Sequence, residues 1–173
     1  MEYSSTLPLF RAQDHNSDSL DEAIKLMSES GADDRGAIYT RREVVDFLLD
    51  LIEYTQDKPL YESSLLEPSF GGGDFLIPAI QRLIDSYKME RREAGEYALL
   101  KASIRAVELN KDSFDSTKEK ILNLLLNNFT TEQSKDLIDS WLVCGDYLLQ
   151  PFNSGFDYVV GNPPYIRQES IPE

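Results

Sequence analysis

The tetrapeptide Asn162-Pro163-Pro164-Tyr165 follows directly on Phe156-Asp157-Tyr158-Val159-Val160-Gly161. Tyr158, Val159 and Val160 are aromatic and β-branched with a breaker behind them, which predicts a short buried strand. Each proline fixes its own φ, lacks an N–H donor and holds the residue before it extended. The segment is therefore stiff and non-helical, at the carboxyl end of a strand, where open α/β sheets keep their ligands. Asn162 brings an amide carbonyl, the prolines bring main-chain carbonyls, and Tyr165 brings a flat face. Two acceptors beside an aromatic ring suit an exocyclic amino group on a planar ring. An amine held by both hydrogens has a less delocalised lone pair and can attack an electrophile. A rigid strand-to-loop turn without chemistry is the other reading of these residues.

Four more stretches carry groups that could bind a ligand. Glu67-Pro68-Ser69-Phe70-Gly71-Gly72-Gly73-Asp74-Phe75-Leu76 sets an acid beside a glycine turn, where the backbone can approach a ligand closely. A dinucleotide fingerprint would require a third glycine where Leu76 stands, and Glu67 suits a cation better than a phosphate. Glu108 closes a second apolar run and is placed to accept from ribose hydroxyls. Asp146, after Trp141-Leu142-Val143-Cys144-Gly145, offers an acceptor for the amino group of an adenine. Cys144 reads as a packed core thiol. Thr40-Arg41-Arg42-Glu43 forms a capping box, and the helix start behind Tyr39 presents free N–H groups to a carboxylate.

The elements that would position these residues alternate between strand and helix. Residues 1–35 are polar and acidic. Within them Ser19-Leu20-Asp21-Glu22 opens a short helix with Leu20, Ile24 and Met27 on one face, closed by Gly31. Val44, Val45, Phe47, Leu48, Leu51 and Ile52 give the helix after Thr40 a wide apolar face. Strands are predicted over 60–66, 103–109 and 141–144, and helices over 75–89, 114–129 and 131–139. The polar stretch 90–101 is helix-prone, and the long separation of Glu67 from Glu108 implies an insertion before the second strand. A strand, a glycine turn and an amphipathic helix make the first βα unit of a nucleotide-type fold.

At 173 residues the chain is long enough for one domain with a sizeable core. No apolar run approaches a membrane span, and the N-terminus lacks a basic-then-apolar signal pattern, which predicts no membrane partner. The lone Cys144 excludes an internal disulfide and, with the lone and polar-flanked His15, is too little for a zinc site. A reducing cytoplasm fits this usage, and no metal is expected. Seventeen Lys and Arg against 31 Asp and Glu leave a net charge of −14, whereas proteins that grip a duplex do so with basic residues. Any strong hold on nucleic acid would have to come from elsewhere.

Taken in order, these motifs resemble those of N6-adenine DNA methyltransferases of the gamma motif order, as found in the modification domains of type II restriction–modification enzymes. The resemblance implies S-adenosyl-L-methionine as cofactor. It implies that Tyr39 and Thr40 close over the methionine end, and that Glu67, Pro68, Ser69, Phe70, Gly71, Gly73 and Phe75 form the cofactor loop, with Glu67 facing the methionine amine. Glu108 then binds the ribose, Leu109 lies beside the cofactor adenine, and Asp146 and Tyr147 contact its amino group. Asn162, Pro163, Pro164 and Tyr165 resemble the catalytic tetrapeptide, with Asn162 also next to the cofactor, and Ile166-Arg167-Gln168-Glu169 continue the pattern. Arg41 stands where a proline is usual, a mild departure at a first helical position.

The fold implied is a Rossmann-like S-adenosylmethionine-dependent methyltransferase fold, truncated after its fourth strand and preceded by N-terminal helices. Residues 1–35 form the helical segment and residues 36–173 part of the catalytic domain, with four parallel strands in the order 3-2-1-4. In this family further strands and a separate target-recognition domain follow, so the expectation is a fragment that binds double-stranded DNA only through a region outside it and is inactive alone. Its exposed fourth strand would favour self-association. Two other readings stay open: methylation of a glutamine amide in a protein, which uses the same tetrapeptide chemistry, and a non-catalytic cofactor-binding or assembly module.

Overall fold

A computed structural model describes residues 42–89, 96–152 and 155–162. The predicted helix near Ser19 and its cap, the Thr40 capping box, and residues Tyr39, Thr40, Pro163, Pro164 and Tyr165 lie outside these residues. The elements are α1 (Arg42–Leu51), β1 (Leu65–Glu67), α2 (Leu76–Met89), α3 (Glu96–Ala102), β2 (Ile104–Glu108), α4 (Lys111–Leu126), α5 (Thr131–Trp141), β3 (Leu142–Cys144) and β4 (Tyr158–Val159). The four strands are parallel and ordered β3-β2-β1-β4, as the sequence predicts. With the order reversing beside β1, the carboxyl edge at β1 and β4 is a topological switch point, the place where such sheets bind ligands. No helix among the described residues is long and apolar enough to cross a membrane.

The helices form where apolar residues recur at helical spacing and a cap is at hand. α4 begins at Lys111, earlier than the apolar pattern alone suggests, because the Asn110 side chain accepts from the Ser113 N–H at 2.9 Å. α5 starts on a capping box made by Thr130 and Gln133. Pro78 is accepted in the first turn of α2, where its missing N–H has no intrahelical partner to lose. The buried faces meet at Leu49, Leu65, Ile80, Leu100, Ile121 and Trp141, all at most 1% exposed. Burying each such side chain contributes about 1.5–3 kcal/mol, less the entropy of ordering it.

Four expectations change in detail. The first strand is shorter than 60–66, because the chain leaves Pro59 in a single 3-10 turn, Leu60–Glu62, whose Leu60 N–H donates to Ser86 Oγ at 3.1 Å. Trp141 closes α5 rather than opening β3. Its indole N–H donates to the Leu100 carbonyl at 3.0 Å, which holds the ring inside the helical layer. Cys144 is exposed, not a core thiol, since β3 ends there and is an edge strand among the described residues. β4 is half-buried at Tyr158 and 63% exposed at Val159, because it too is an edge with a neighbour on one side only among the described residues.

β4 is nonetheless held firmly at its start. The Ser64 N–H and hydroxyl both donate to the Asp157 carboxylate, at 2.8 and 2.9 Å, so the residue before β1 fixes the residue before β4. Above that clamp the Tyr54 ring meets Tyr158 edge-on, with centroids 5.0 Å apart. Asp157 is thereby held below the usual carboxylate range, chiefly by the Ser64 N–H.

Candidate active site

All four strands run toward one edge, and the chain leaves each strand there through residues of chemical interest. Glu67 ends β1, Glu108 ends β2, Cys144 and Gly145 end β3, and Val160-Gly161-Asn162 leave β4. Cross-links between neighbours hold these exits together. The Phe70 N–H donates to the Val107 carbonyl at 3.1 Å, Gly145 N–H to the Glu108 carbonyl at 2.9 Å, and Val160 N–H to the Leu66 carbonyl at 3.0 Å.

The glycine turn is tied to the second strand by a charged bond. Glu108 Oε2 accepts from the Gly71 N–H at 2.7 Å, while Oε1 accepts from the Asn110 N–H at 2.7 Å. The ribose acid of the sequence reading is therefore a positioning element too: it joins the turn after β1 to the start of α4. Each carboxylate oxygen keeps a second lone pair, so both can still accept from a hydroxyl. From the other side α4 supplies Thr117, whose hydroxyl donates to the Gly71 carbonyl at 2.8 Å, and Lys120, whose Nζ donates to the Gly72 carbonyl at 3.2 Å. Gly73 has a φ of +85°, and a Cβ there would sit 2.8 Å from Thr117 Cγ2. Gly71, at φ +48°, faces open space, so a ligand has room to approach its backbone.

Glu67 is the electrostatic centre of this edge. It is 2% exposed, and its Oε2 has no hydrogen-bond partner among the described residues. Burial first, then the negative charges of Asp74 and Glu108, push its carboxyl well above the usual carboxylate range. A buried carboxyl oxygen left without a partner is costly, and a cationic or hydrogen-bonding ligand relieves that cost. Gly161 packs alongside: a Cβ on it would lie 3.8 Å from Glu67 Oε1 and 3.5 Å from Pro68 Cδ. Glu67 and the approach to Asn162 are thus immediate neighbours, and Asn162 is half-buried.

The remaining predicted residues divide between this edge and the core. Pro68 and Ser69 are half-buried in the turn, whereas Phe70 and Phe75 are buried at 3% and 4% and join the hydrophobic core, Phe70 against the Phe114 ring. Leu109 is 71% exposed beside Glu108, an apolar surface on which a flat ring could lie. Asp146 Oδ1 accepts from the Leu148 N–H at 2.9 Å and caps the 3-10 turn Tyr147–Leu149. Tyr147 lies against Phe152, with ring centroids 5.5 Å apart. Sequence reasoning did not single out Asp74, Thr117, Lys120 or Gly161. Asp74 stands in the glycine turn itself and had a visible signal; the others reach the site through the fold.

This edge is suited to a ligand with a cationic end, sugar hydroxyls and a flat ring. The described residues provide a buried carboxyl with one oxygen unpartnered among them, a second carboxylate bonded into a glycine turn, and an exposed leucine, in that order across β1 and β2.

Residues 48–173 match the family described as Eco57I restriction-modification methylase. The chain is 52% identical over 148 residues to the type II methyltransferase M.PaeR7I of Pseudomonas aeruginosa, a match covering 85% of this chain and 26% of that protein. It is 46% identical over 142 residues to the type II methyltransferase M.XhoI of Xanthomonas vasicola, covering 81% and 26% respectively. A third relative, the type II methyltransferase M.BstVI of Geobacillus stearothermophilus, is 38% identical over 144 residues, 80% of this chain and 26% of the relative. The chain spans about a quarter of the length of these relatives.

Proposed function

The chain belongs to the Eco57I restriction-modification methylase family, and from that premise we propose that it forms the cofactor-binding and catalytic part of an S-adenosylmethionine-dependent DNA methyltransferase acting on the N6 amino group of adenine. Residues 36–173 are the part of the catalytic domain present here, with residues 1–35 as a separate N-terminal segment. The whole protein works on double-stranded DNA in the cytoplasm. The type II methyltransferase relatives favour DNA over a protein glutamine amide as the substrate.

The observation that carries this reading is the pairing of Glu67 and Glu108 across adjacent strands. S-adenosylmethionine carries an ammonium group, two ribose hydroxyls and an adenine ring. The buried Glu67 Oε2, unpartnered among the described residues, fits the ammonium, the Glu108 carboxylate fits the hydroxyls, and Leu109 offers the ring an apolar surface. The donor set therefore fits the cofactor. Tyr39, Thr40, Pro68, Ser69, Phe70, Gly71, Gly73 and Phe75 complete the methionine side in this reading, and Asp146 and Tyr147 the adenine side.

When bound, the cofactor supplies an electrophilic methyl group. The residues of this chain do the positioning. A target adenine must leave the duplex to reach them, at a few kcal/mol of unstacking and unpairing. The Asn162 side-chain carbonyl and the Pro163 main-chain carbonyl accept the two N6 hydrogens, and Tyr165 stacks on the base. Held so, N6 presents its lone pair along the line of transfer, and the proton that N6 loses on methylation goes to solvent water. Catalysis rests on orientation and preorganised acceptors, without a covalent intermediate on the protein.

The test has two parts. Calorimetric titration of this chain with S-adenosylmethionine should give one-site binding that Glu67→Gln and Glu108→Gln both weaken. Tritiated cofactor with duplex DNA, using the chain carried in a protein of the relatives' full length, should label N6-methyladenine after digestion to nucleosides. Label in cytosine or in protein would refute the substrate, and absence of binding would refute the site.

A further inference from the structure

Glu67 has a place in the proposed site that goes beyond holding a cation. Its Oε2 is buried and has no hydrogen-bond partner among the described residues, at 2% residue exposure. Two other carboxylates act on it: Asp74 from the glycine turn and Glu108 from the end of β2. From the chain leaving β4 it meets Gly161, which is not titratable and whose Cβ position would lie 3.8 Å from Glu67 Oε1. Lys120 of α4 reaches the same turn and donates to the Gly72 carbonyl at 3.2 Å. Three acids thus share a small region, and among the described residues the most buried of them has no counter-charge on its Oε2.

We propose that Glu67 holds a proton in the ligand-free protein, and that the ammonium group of S-adenosylmethionine expels it on binding. This rests on the cofactor reading given above. The exchange balances: the Glu67 O–H bond breaks, the proton goes to solvent, and an ammonium–carboxylate pair replaces it. Burial first, and then crowding by Asp74 and Glu108, keeps the neutral form when the site is empty. A neighbouring ammonium reverses that balance, since an opposite charge within a few ångströms favours the ionised carboxyl. The device also disfavours neutral analogues: a ligand without the ammonium leaves Glu67 protonated and gains no ion pair.

Linkage fixes the sign. A group that loses a proton on binding makes the affinity rise with pH, tenfold per pH unit at most, until the free group is itself ionised. S-adenosylmethionine should be titrated into the chain between pH 5 and 7, below the region near 7.7–8.0 where an α-amino group loses its own charge. At each pH the heat is measured in phosphate and in Tris, whose ionisation enthalpies differ. The expected result is a buffer-dependent heat equal to the release of up to one proton at the acid end, with affinity climbing as pH rises. Glu67→Gln should bind more weakly with a buffer-independent heat. Asp74→Asn, which removes one of the crowding charges and keeps the test open if the first variant folds poorly, should move the whole profile to lower pH. Binding with buffer-independent heat and a flat affinity would overturn the proton exchange while leaving the cofactor site standing. An Asp74→Asn profile superimposable on the parent's would overturn the role given to charge crowding. No binding in either buffer would overturn the cofactor reading itself, and the exchange with it.

Discussion

Glu108→Gln separates structural work from binding work at the centre of the site. The substitution keeps the shape of the side chain and removes its charge. In the parent, both oxygens accept backbone N–H groups at 2.7 Å, from Gly71 and from Asn110. Hydrogen bonds to a charged group contribute about 1.5–3 kcal/mol each, and neutral ones nearer 1 kcal/mol. A glutamine can accept from one of the two N–H groups; its NH₂ then points at the other, donor against donor. The expected loss is about 3 kcal/mol of folding stability. For a chain of 173 residues that corresponds to a fall in Tm of roughly 6–12 °C. Urea and thermal unfolding followed by circular dichroism measure it, with Glu119→Gln on the exposed face of α4 as the control that should leave both midpoints unchanged. Cofactor affinity, measured where the variant is fully folded, should fall as well, by the about 1.5–3 kcal/mol of the ribose bonds proposed for this carboxylate. A Glu108→Gln protein as stable as its parent would refute the claim that this carboxylate joins the glycine turn to α4.

Three further outcomes are expected. Gly73→Ala should destabilise the fold more than Gly71→Ala, because both have positive φ but only at Gly73 would the new methyl meet Thr117 and Ile77 below 3 Å; equal urea midpoints would contradict this. Glu67 has its carboxyl raised in the folded state, so its contribution to stability is present below about pH 4.5 and is lost as the pH climbs toward the raised value. Glu67→Gln should therefore gain on the parent between pH 5 and 8 in the absence of ligand, and a difference that does not vary with pH would count against a buried, neutral Glu67. Asp157→Ala should free the start of β4 by removing the acceptor for Ser64, visible as faster hydrogen exchange at the Val160 N–H, which bonds the Leu66 carbonyl; unchanged exchange there would show that the clamp does not hold the strand.

Much of this architecture was legible because the sheet is parallel. Strands buried on both faces read as short apolar runs, and the acids that end them, Glu67 and Glu108, stand out against that background. The boundaries were less legible, because they are set by single contacts that cross the fold. Trp141 reads as strand on propensity, yet its indole reaches Leu100 on another helix and holds it in α5. Leu60 and Tyr61 look like strand until Pro59 turns them into a 3-10 turn. Cys144 and Val159 are exposed because β3 and β4 are the edges of the described sheet, a property of strand order that the residues themselves do not carry. At the site, sequence position identified Glu108 as an acceptor but not its bond to Gly71. It also offered Asp146 to a ligand, whereas one oxygen of that carboxylate accepts from its own 3-10 turn.

The site and the sheet depend on the same few bonds. β1 and β3 are three residues long and β4 two, so their ladders alone are brief. What fixes the carboxyl edge is the set of bonds just past the strands: Phe70 N–H to Val107, Gly71 N–H to Glu108, Gly145 N–H to the Glu108 carbonyl, and Val160 N–H to Leu66. Three of the four converge on Val107 and Glu108 in β2, the longest strand. A ligand that bonds Glu108 therefore acts on the turn after β1 and the exit of β3 together, because both are already attached to that residue. Ligand binding should accordingly protect Gly71 and Gly145 amides from exchange together, although they lie on different loops. Protection of one without the other would mean that β2 does not transmit the contact, and that each loop finds its place alone.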